Sequence, residues 1–399
     1  MKKNFAAFLY FFIIFSELYL GNLNLLFGYS PRLISILLFF IIIITQKIKI
    51  KSMWLIKSMI IYLIFHCISI VFDDYADFSL FAYNFLISRY LITTAIVCIT
   101  SVCIPKYISF KTFINILLLV TSINTFILFG QFFEYSSISF ITEFFVGDRF
   151  SEIDMERDLF KHSTIHGLTG TVYSGYLITV LVPLILYKLE KSKYWYLFWV
   201  SLLIFTSFTA FILQQRSAFF LIFFNIITYF VFYSLKKKKQ KLGFITLIIF
   251  IFFSTRIKNI AFTSDLSKSF VFELETRVLL FFGSIDFISN YPLFGGVEFF
   301  KKLYGGSPHN LFFNAWIRAG VLGFLSILFV FIKMTKISIK SIKDSLGKNI
   351  LMYTFCTILI NLFIMSFTHN SGLVTGEVFT FIFIILILKV KKINLENIQ

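Results

Sequence analysis

The stretch LFFNAWIRAGVLGFLSILFVFI, residues 311–332, decides the fold. It contains a single charged residue, Arg318. At a rise of about 1.5 Å per residue, a helix of this length crosses the roughly 30 Å hydrocarbon core of a bilayer. The bilayer core offers no water to backbone amides, so such a run is stable there only as a helix with internal hydrogen bonds. Residues 311–332 are therefore predicted to form a transmembrane helix.

Comparable apolar runs recur along the whole chain, which is 58% hydrophobic and has a mean hydropathy of +0.87. Such a composition lies outside the range of soluble domains and predicts an all-α, polytopic integral membrane protein, with residues 1–399 forming a single transmembrane domain. The first run follows Met1, Lys2 and Lys3, but no small-residue cleavage site comes after it, which favours a retained helix over a secretory signal. We predict about twelve spans, at 5–20, 28–46, 53–72, 83–104, 112–131, 164–187, 194–213, 217–235, 242–254, 311–332, 349–366 and 373–390.

Lysines account for most of the net charge of +17, and they concentrate in alternate connections. These connections contain Lys47, Lys49 and Lys51; Lys106 and Lys111; Lys188, Lys191 and Lys193; Lys236 to Lys241; Lys333 to Lys348; and Lys389 to Lys392. With twelve spans, they share one side with both termini, and the positive-inside rule assigns that side to the cytoplasm. The pattern favours topology and lipid headgroup contact over a nucleic-acid partner.

The arginines and most acidic residues map to the other, external half of the predicted bundle. The arginines are Arg32, Arg89, Arg149, Arg157, Arg216, Arg256, Arg277 and Arg318. Because the guanidinium fork suits bidentate contact with phosphate or carboxylate, the outer face is the predicted working face. The acidic stretch DDYAD, residues 73–77, is interpreted as a solvated hairpin and not as a metal site.

Two external segments, residues 132–163 and 255–310, are long enough to fold over the membrane surface. Connections of this length without a function are uncommon, and both segments contain apolar residues that could form short helices on the surface. A cavity roofed by these segments is the predicted place for chemistry.

The stretch HNLFFNAWIRAGVLG, residues 309–323, supplies the most specific pattern in the chain. His309 lies at the external start of a predicted helix, where an imidazole can take or give a proton near neutral pH. Asn310 could cap that helix, and Gly320 and Gly323 would let a neighbouring helix approach closely. The alternative interpretation of this histidine is an interfacial or capping residue.

The spacing His-Asn, nine residues, Gly, two residues, Gly resembles the signature of the O-antigen polymerase and O-antigen ligase superfamily of membrane glycosyltransferases. Two further stretches fit this resemblance, an external turn with Arg beside Ser and a segment with Arg followed by Pro-Leu-Phe-Gly-Gly. They are TAFILQQRSAFFLIFF, residues 209–224, and ETRVLLFFGSIDFISNYPLFGGVEFF, residues 275–300. The resemblance covers residues 165–390 by motif and the remainder by topology.

The resemblance implies that Arg216 and Arg277 bind the pyrophosphate of a lipid-linked donor and that His309 activates the acceptor hydroxyl. Arg318, Arg89 and Asn310 are secondary candidates for the site. No cofactor is implied, and no cluster of carboxylates or cysteines has a spacing typical of a metal site.

The resemblance leaves several activities open. An O-antigen polymerase would join undecaprenyl-pyrophosphate-linked oligosaccharides on the outer face of the bacterial inner (cytoplasmic) membrane, with its active site facing the periplasm. An O-antigen ligase would transfer the chain to lipid A-core, and a flippase for lipid-linked saccharides is a further alternative. The implied partners are the undecaprenyl-pyrophosphate-linked oligosaccharides, membrane lipid, a chain-length regulator and a flippase. The Phe-, Ile-, Lys- and Asn-rich composition favours the polymerase.

Overall fold

The computed structural model describes residues 3–19, 37, 53–81, 90–133, 135, 137–138, 140–141, 171–192, 194–212, 216–237, 264–308, 310–345, 349–368 and 378–396. Within these ranges the chain forms helices and no strands, which confirms the predicted all-α class. The predicted spans 28–46 and 242–254 lie essentially outside the described residues, as does most of the predicted external segment 132–163.

Most helices coincide with predicted apolar runs, whereas those at Phe78–Phe81, Ser264–Asn290 and Val297–Tyr304 lie outside them. The helices are α1 (Lys3–Tyr19), α2 (Met53–Val71), α3 (Phe78–Phe81), α4 (Ile92–Cys103), α5 (Phe110–Phe132), α6 (Thr171–Lys191), α7 (Tyr196–Ile212), α8 (Arg216–Lys237), α9 (Ser264–Asn290), α10 (Val297–Tyr304), α11 (Leu311–Ser345), α12 (Ile350–Thr368) and α13 (Val378–Glu396).

Among the described residues, three stretches are long and apolar enough to cross a membrane: Trp54–Val71, Phe110–Phe132 and Leu311–Asp344. Shorter apolar helices accompany them, at Asn4–Tyr19, Ile92–Cys103, Tyr196–Ala210, Phe220–Tyr233 and Ile350–Ser366. The fold is therefore compatible with a membrane protein. The number of twelve spans and their sidedness stay predictions.

The chain divides into two compact units. Unit 1 comprises residues 1–48, 102–250 and 345–361, and unit 2 comprises residues 49–101, 251–344 and 362–399.

Unit 1 is built around α6, against which α5, α7 and α8 pack. Its helices contribute to a buried apolar cluster of Leu128, Ile178, Val182, Leu186, Ala210 and Ile222. Side-chain amides add polar links between helices. The Asn124 amide donates to the Ser174 hydroxyl at 2.9 Å, and the Asn361 amide donates to the Thr179 carbonyl at 2.9 Å.

In unit 2, α2 and α11 run antiparallel. The ammonium of Lys333 lies 4.3 Å from the centre of the Trp54 ring at the start of α2. Near the other end of the pair, Ile70 and Ile317 belong to one buried cluster. Antiparallel packing of α2 and α11 agrees with the opposite directions predicted for the third and tenth spans.

The predicted span 311–332 is not one regular helix. Helix α11 extends over 35 residues but is interrupted at its tenth, Gly320, where φ is 62° and ψ is −172°. This backbone conformation is accessible essentially only to glycine. An interruption leaves amide and carbonyl groups without their helical partners, and those groups require partners elsewhere.

Candidate functional site

The break in α11 is filled by the loop that links α9 to α10. The Gly296 amide donates to the Ile317 carbonyl at 2.8 Å, and the Val321 amide donates to the Pro292 carbonyl at 3.1 Å. The Trp316 indole donates to the same Pro292 carbonyl at 2.9 Å. Loop 292–296 thus supplies hydrogen-bond partners on both sides of the interruption. We call the contact between loop 292–296 and the break in α11 the junction. It joins two of the motif stretches that carry the resemblance.

The glycines of the motif have different roles in this junction. A Cβ atom on Gly320 would overlap the backbone of Leu293 and Phe294 in the loop. Gly320 therefore permits close approach of a loop, and the prediction that it accommodates a helix is wrong. Gly323 does face a helix, because a Cβ there would lie 3.6 Å from side-chain atoms of Tyr62 and Phe65 on α2.

Asp73 fixes the first turn of α10. The α10 N-cap residue, Gly296, has no side chain to accept hydrogen bonds from the first-turn amides. The Asp73 carboxylate takes that role, with Oδ2 accepting from the Glu298 amide at 2.8 Å and Oδ1 from the Phe299 amide at 3.2 Å. A carboxylate at a helix N-terminus is also favoured by the helix dipole.

The structure corrects the interpretation of residues 73–77 as a solvated hairpin. Asp74 and Asp77 are exposed, but the Asp73 side chain is only 5% exposed because it is covered by α10. Sequence reasoning missed this contact across more than 220 residues. A signal was available in the Gly295-Gly296 pair, which offers the following helix no capping side chain.

Aromatic contacts extend the same junction. Phe72 stacks on Phe294 with ring centres 4.4 Å apart, and Tyr75 stacks on Phe299 at 5.3 Å. The Lys302 ammonium lies 3.9 Å from the centre of the Tyr75 ring, a cation–π distance. Residues 72–75, which follow α2, therefore hold segment 292–302 through hydrogen bonds, ring stacking and the contact between the Lys302 ammonium and the Tyr75 ring.

Asn310 caps α11, as the sequence predicted. Its side-chain oxygen accepts from the Phe312 amide at 2.9 Å and from the Phe313 amide at 3.3 Å. Asn310 acts here as a structural group, and the cap fixes where α11 begins.

Arg318 lies two residues before the break and is 7% exposed. Its Nε atom donates to the Asn314 side-chain oxygen at 2.5 Å, one turn earlier on α11. Tyr62 and His66 of α2 lie within electrostatic range of its guanidinium. A buried arginine in an apolar helix was predicted to need a partner, and Asn314 is one such partner.

Arg277 is exposed on α9, and the turn after it contacts described residues on either side of position 309 in the chain. Leu280, three residues after Arg277, lies against Gly306, and Phe281 makes an edge contact with Phe313 at 5.1 Å between ring centres. Gly306 and Phe313 flank position 309 in the chain.

The remaining predicted site residues are only partly described. His309 and Arg89 lie outside the described residues. Arg216 is the first residue of α8, in agreement with the predicted helix start, and it belongs to unit 1, whereas Arg277 belongs to unit 2. The convergence of Arg216, Arg277 and His309 in one cavity stays a prediction. No cluster of His, Cys, Asp and Glu that could hold a metal ion occurs among the described residues.

No family model, curated protein or solved structure matches the chain. The fold and the junction define an all-helical protein with apolar helices of membrane-spanning length and a membrane-length helix broken at Gly320.

Proposed function

We propose that this protein is an O-antigen polymerase, a membrane glycosyltransferase that joins undecaprenyl-pyrophosphate-linked oligosaccharide units on the outer face of the bacterial inner membrane. One observation carries the proposal. The turn of α9 that follows Arg277 contacts Gly306 on one side of position 309 and Phe313 on the other. A phosphate-binding arginine and a base are the groups that this reaction needs near each other.

In the proposed reaction, a hydroxyl of the acceptor unit attacks the anomeric carbon of the donor saccharide. His309 accepts the proton of that hydroxyl while the bond between the anomeric carbon and the pyrophosphate oxygen breaks. The leaving group is undecaprenyl pyrophosphate, and Arg216 and Arg277 stabilise the negative charge that develops on it. The products are the lengthened lipid-linked saccharide and the free lipid pyrophosphate.

The exposure of Arg277 supports the donor-binding role. An exposed guanidinium can reach a pyrophosphate at the membrane surface, where a lipid carrier presents it. The junction of Asp73, the Pro292 carbonyl and Gly320 holds the following segment to α2 and α11.

A transporter of lipid-linked saccharides is the second candidate, favoured by the break in α11 and the buried Arg318 beside it. Broken helices and intramembrane charges are typical of transport sites. Here, however, loop 292–296 supplies backbone partners at the break, whereas a transporter would leave such groups for its substrate.

The test is a surface-polysaccharide gel of cells that lack the gene, complemented with the wild type or with His309→Ala, together with an analysis of carrier-linked saccharides. We expect lipid A-core bearing a single repeat unit in the deletion and in His309→Ala. Bare core with long chains on the carrier would identify a ligase instead. Bare core with unpolymerised units retained on the cytoplasmic side would identify a flippase.

Asn310→Ala is the comparison variant, because it removes the cap of α11 and retains the His309 imidazole, which separates loss of the helix cap from loss of the base. With equal protein levels, Asn310→Ala is expected to retain a ladder that His309→Ala lacks. A wild-type ladder from His309→Ala would remove the histidine from the mechanism. For Arg277, replacement by Lys keeps the charge but loses the fork, and we expect it to shorten the ladder less than Arg277→Ala does.

A further inference from the structure

Helix α9 has a buried and an exposed apolar face in the residues that follow Arg277. One face is buried within unit 2 and includes Leu280 and Phe287. The opposite face is also apolar but exposed. It consists of Val278 (45% exposed), Leu279 (57%), Phe282 (64%) and Ile285 (42%).

A helix on a water-exposed surface has polar residues on its outward face. A helix that is apolar all round is covered by protein or by membrane. No charged residue occurs at positions 278–285, so this part of the exposed face offers water no charged group, and exposed polar residues begin at Asp286. Four neighbouring large side chains of this kind mark an interaction surface.

The position of α9 along the candidate spans indicates what covers this face. Leu280 and Phe287 share a buried cluster with Ile70, the second-last residue of α2, and with Ile317, the seventh residue of α11. The exposed face therefore lies at the level of the end turns of two helices that are apolar enough to cross a membrane. At that level, acyl chains meet lipid headgroups.

Exposed apolar side chains also occur at the end of α2 and in the loop that follows α9. Val71 and Phe72 at the end of α2 are 71% and 61% exposed, and Phe72 stacks on Phe294 in the loop after α9. Leu293 in the same loop is 63% exposed. Arg277 is exposed at one end of the apolar stretch, where a cation suits anionic headgroups.

We propose that the face formed by Val278, Leu279, Phe282 and Ile285 of α9 is embedded in the bilayer at the boundary between headgroups and acyl chains, with membrane lipid as its partner. This membrane contact does not depend on the proposed glycosyltransferase activity. It would make the segment before His309 part of the membrane interface and not a water-exposed loop.

The test is spin-label accessibility in a variant whose four native cysteines are replaced, reconstituted in vesicles of phosphatidylcholine and phosphatidylglycerol. A nitroxide is attached after Phe282→Cys, and its collisions with oxygen and with a water-soluble nickel chelate are measured. Ile64→Cys, 50% exposed on α2, gives the reference for hydrocarbon, and Asp74→Cys gives the reference for water. Asn290→Cys, exposed at the end of α9, is the matched control.

We expect the label at Phe282→Cys to have an oxygen-to-nickel accessibility ratio several-fold higher than those at Asn290→Cys and Asp74→Cys, and close to that at Ile64→Cys. A ratio equal to that at Asp74→Cys would overturn the proposal. Low accessibility to both reagents, with dipolar broadening that disappears on dilution with unlabelled protein, would indicate a second copy of the chain and also overturn it. Leu279→Cys provides an independent position if the first variant does not elute as the wild type does.

Discussion

The helix packing of unit 1 and the junction in unit 2 solve the same problem in different ways. In unit 1, α6 and its neighbours satisfy most backbone groups within each helix, and apolar side chains fill the space between them. An exception is the Thr179 carbonyl, which Pro183 cannot satisfy and which accepts from the Asn361 side chain. In the junction, the backbone of α11 is interrupted and a distant loop supplies the missing partners. Packing of apolar side chains tolerates many replacements, whereas the junction depends on particular atoms at Gly320, Pro292 and Asp73.

The difference follows from burial of the interrupted backbone within the protein. Irregular backbone is tolerated at membrane depth only where it is buried in protein or lines a cavity, because lipid offers no hydrogen bonds. A break in α11 therefore requires loop 292–296, and the loop requires α10 and its cap. Substitutions in the junction should accordingly have larger effects than substitutions between the helices of unit 1.

The largest effect is expected for Gly320→Ala. Its backbone conformation is strained for any residue with a Cβ, at a cost of about 1–3 kcal/mol, and the Cβ would also overlap the Leu293 carbonyl. We expect the folded protein to be largely lost, as measured by the melting temperature in detergent with fluorescence-detected size-exclusion chromatography.

Gly305→Ala is the matched control for that substitution. Gly305 also has a positive φ, 72°, but a Cβ there meets nothing within 4 Å. Its replacement should cost only about 1 kcal/mol. Equal melting temperatures for the two variants would show that the loop does not fill the break.

Asp73→Ala should produce the next largest effect. It leaves the partly buried Glu298 and Phe299 amides without their carboxylate acceptor, and loss of such a cap costs about 0.5–2 kcal/mol. Asp73→Asn keeps one acceptor oxygen and should restore part of the melting temperature. Asp74 is an exposed neighbour, and the free energy of unfolding of Asp74→Ala should stay within about 0.5 kcal/mol of the wild-type value. A larger loss of stability in Asp74→Ala would mean that the acidic stretch acts through its charge and not through the cap.

A smaller effect is expected in unit 1, where Asn124 donates to Ser174. Hydrogen bonds between helices in membrane proteins contribute about 0.6 kcal/mol on average. A double-mutant cycle of Asn124→Ala and Ser174→Ala, read as melting temperatures, should give a coupling of this size. A coupling as large as the loss in Asp73→Ala would abolish the contrast between the two regions.

Periodicity and hydropathy were sufficient to predict the long apolar helices, because length and composition largely decide whether an apolar run forms one. They did not predict α3 or the 27-residue helix α9. Capping by Asn310 was also predictable, because its partners lie only two and three residues further along the chain. The break at Gly320 was not predicted. Glycine is also common where helices pack closely, and only the approach of loop 292–296 distinguishes the two uses. Asp73 was misinterpreted because its partners lie more than 220 residues away and are backbone amides, so the only sequence signal for them is the glycine pair that leaves α10 without a capping side chain.

The smallest effect concerns Tyr304 at the end of α10, whose hydroxyl donates to the Asp286 carboxylate of α9 at 2.6 Å. This hydrogen bond is the main reason that the pKa of Tyr304 is raised from 10.0 to about 12. A pKa that is higher in the folded than in the unfolded protein stabilises the fold below the unfolded value. The contribution is therefore complete below about pH 10 and is lost as the pH rises through about 12.

The difference in melting temperature between the wild type and Tyr304→Phe should be constant from neutral pH to about pH 10 and then shrink. In an Asp286→Ala background the same replacement should give no such trend, and a trend that persisted there would assign the shift to other neighbours of Tyr304.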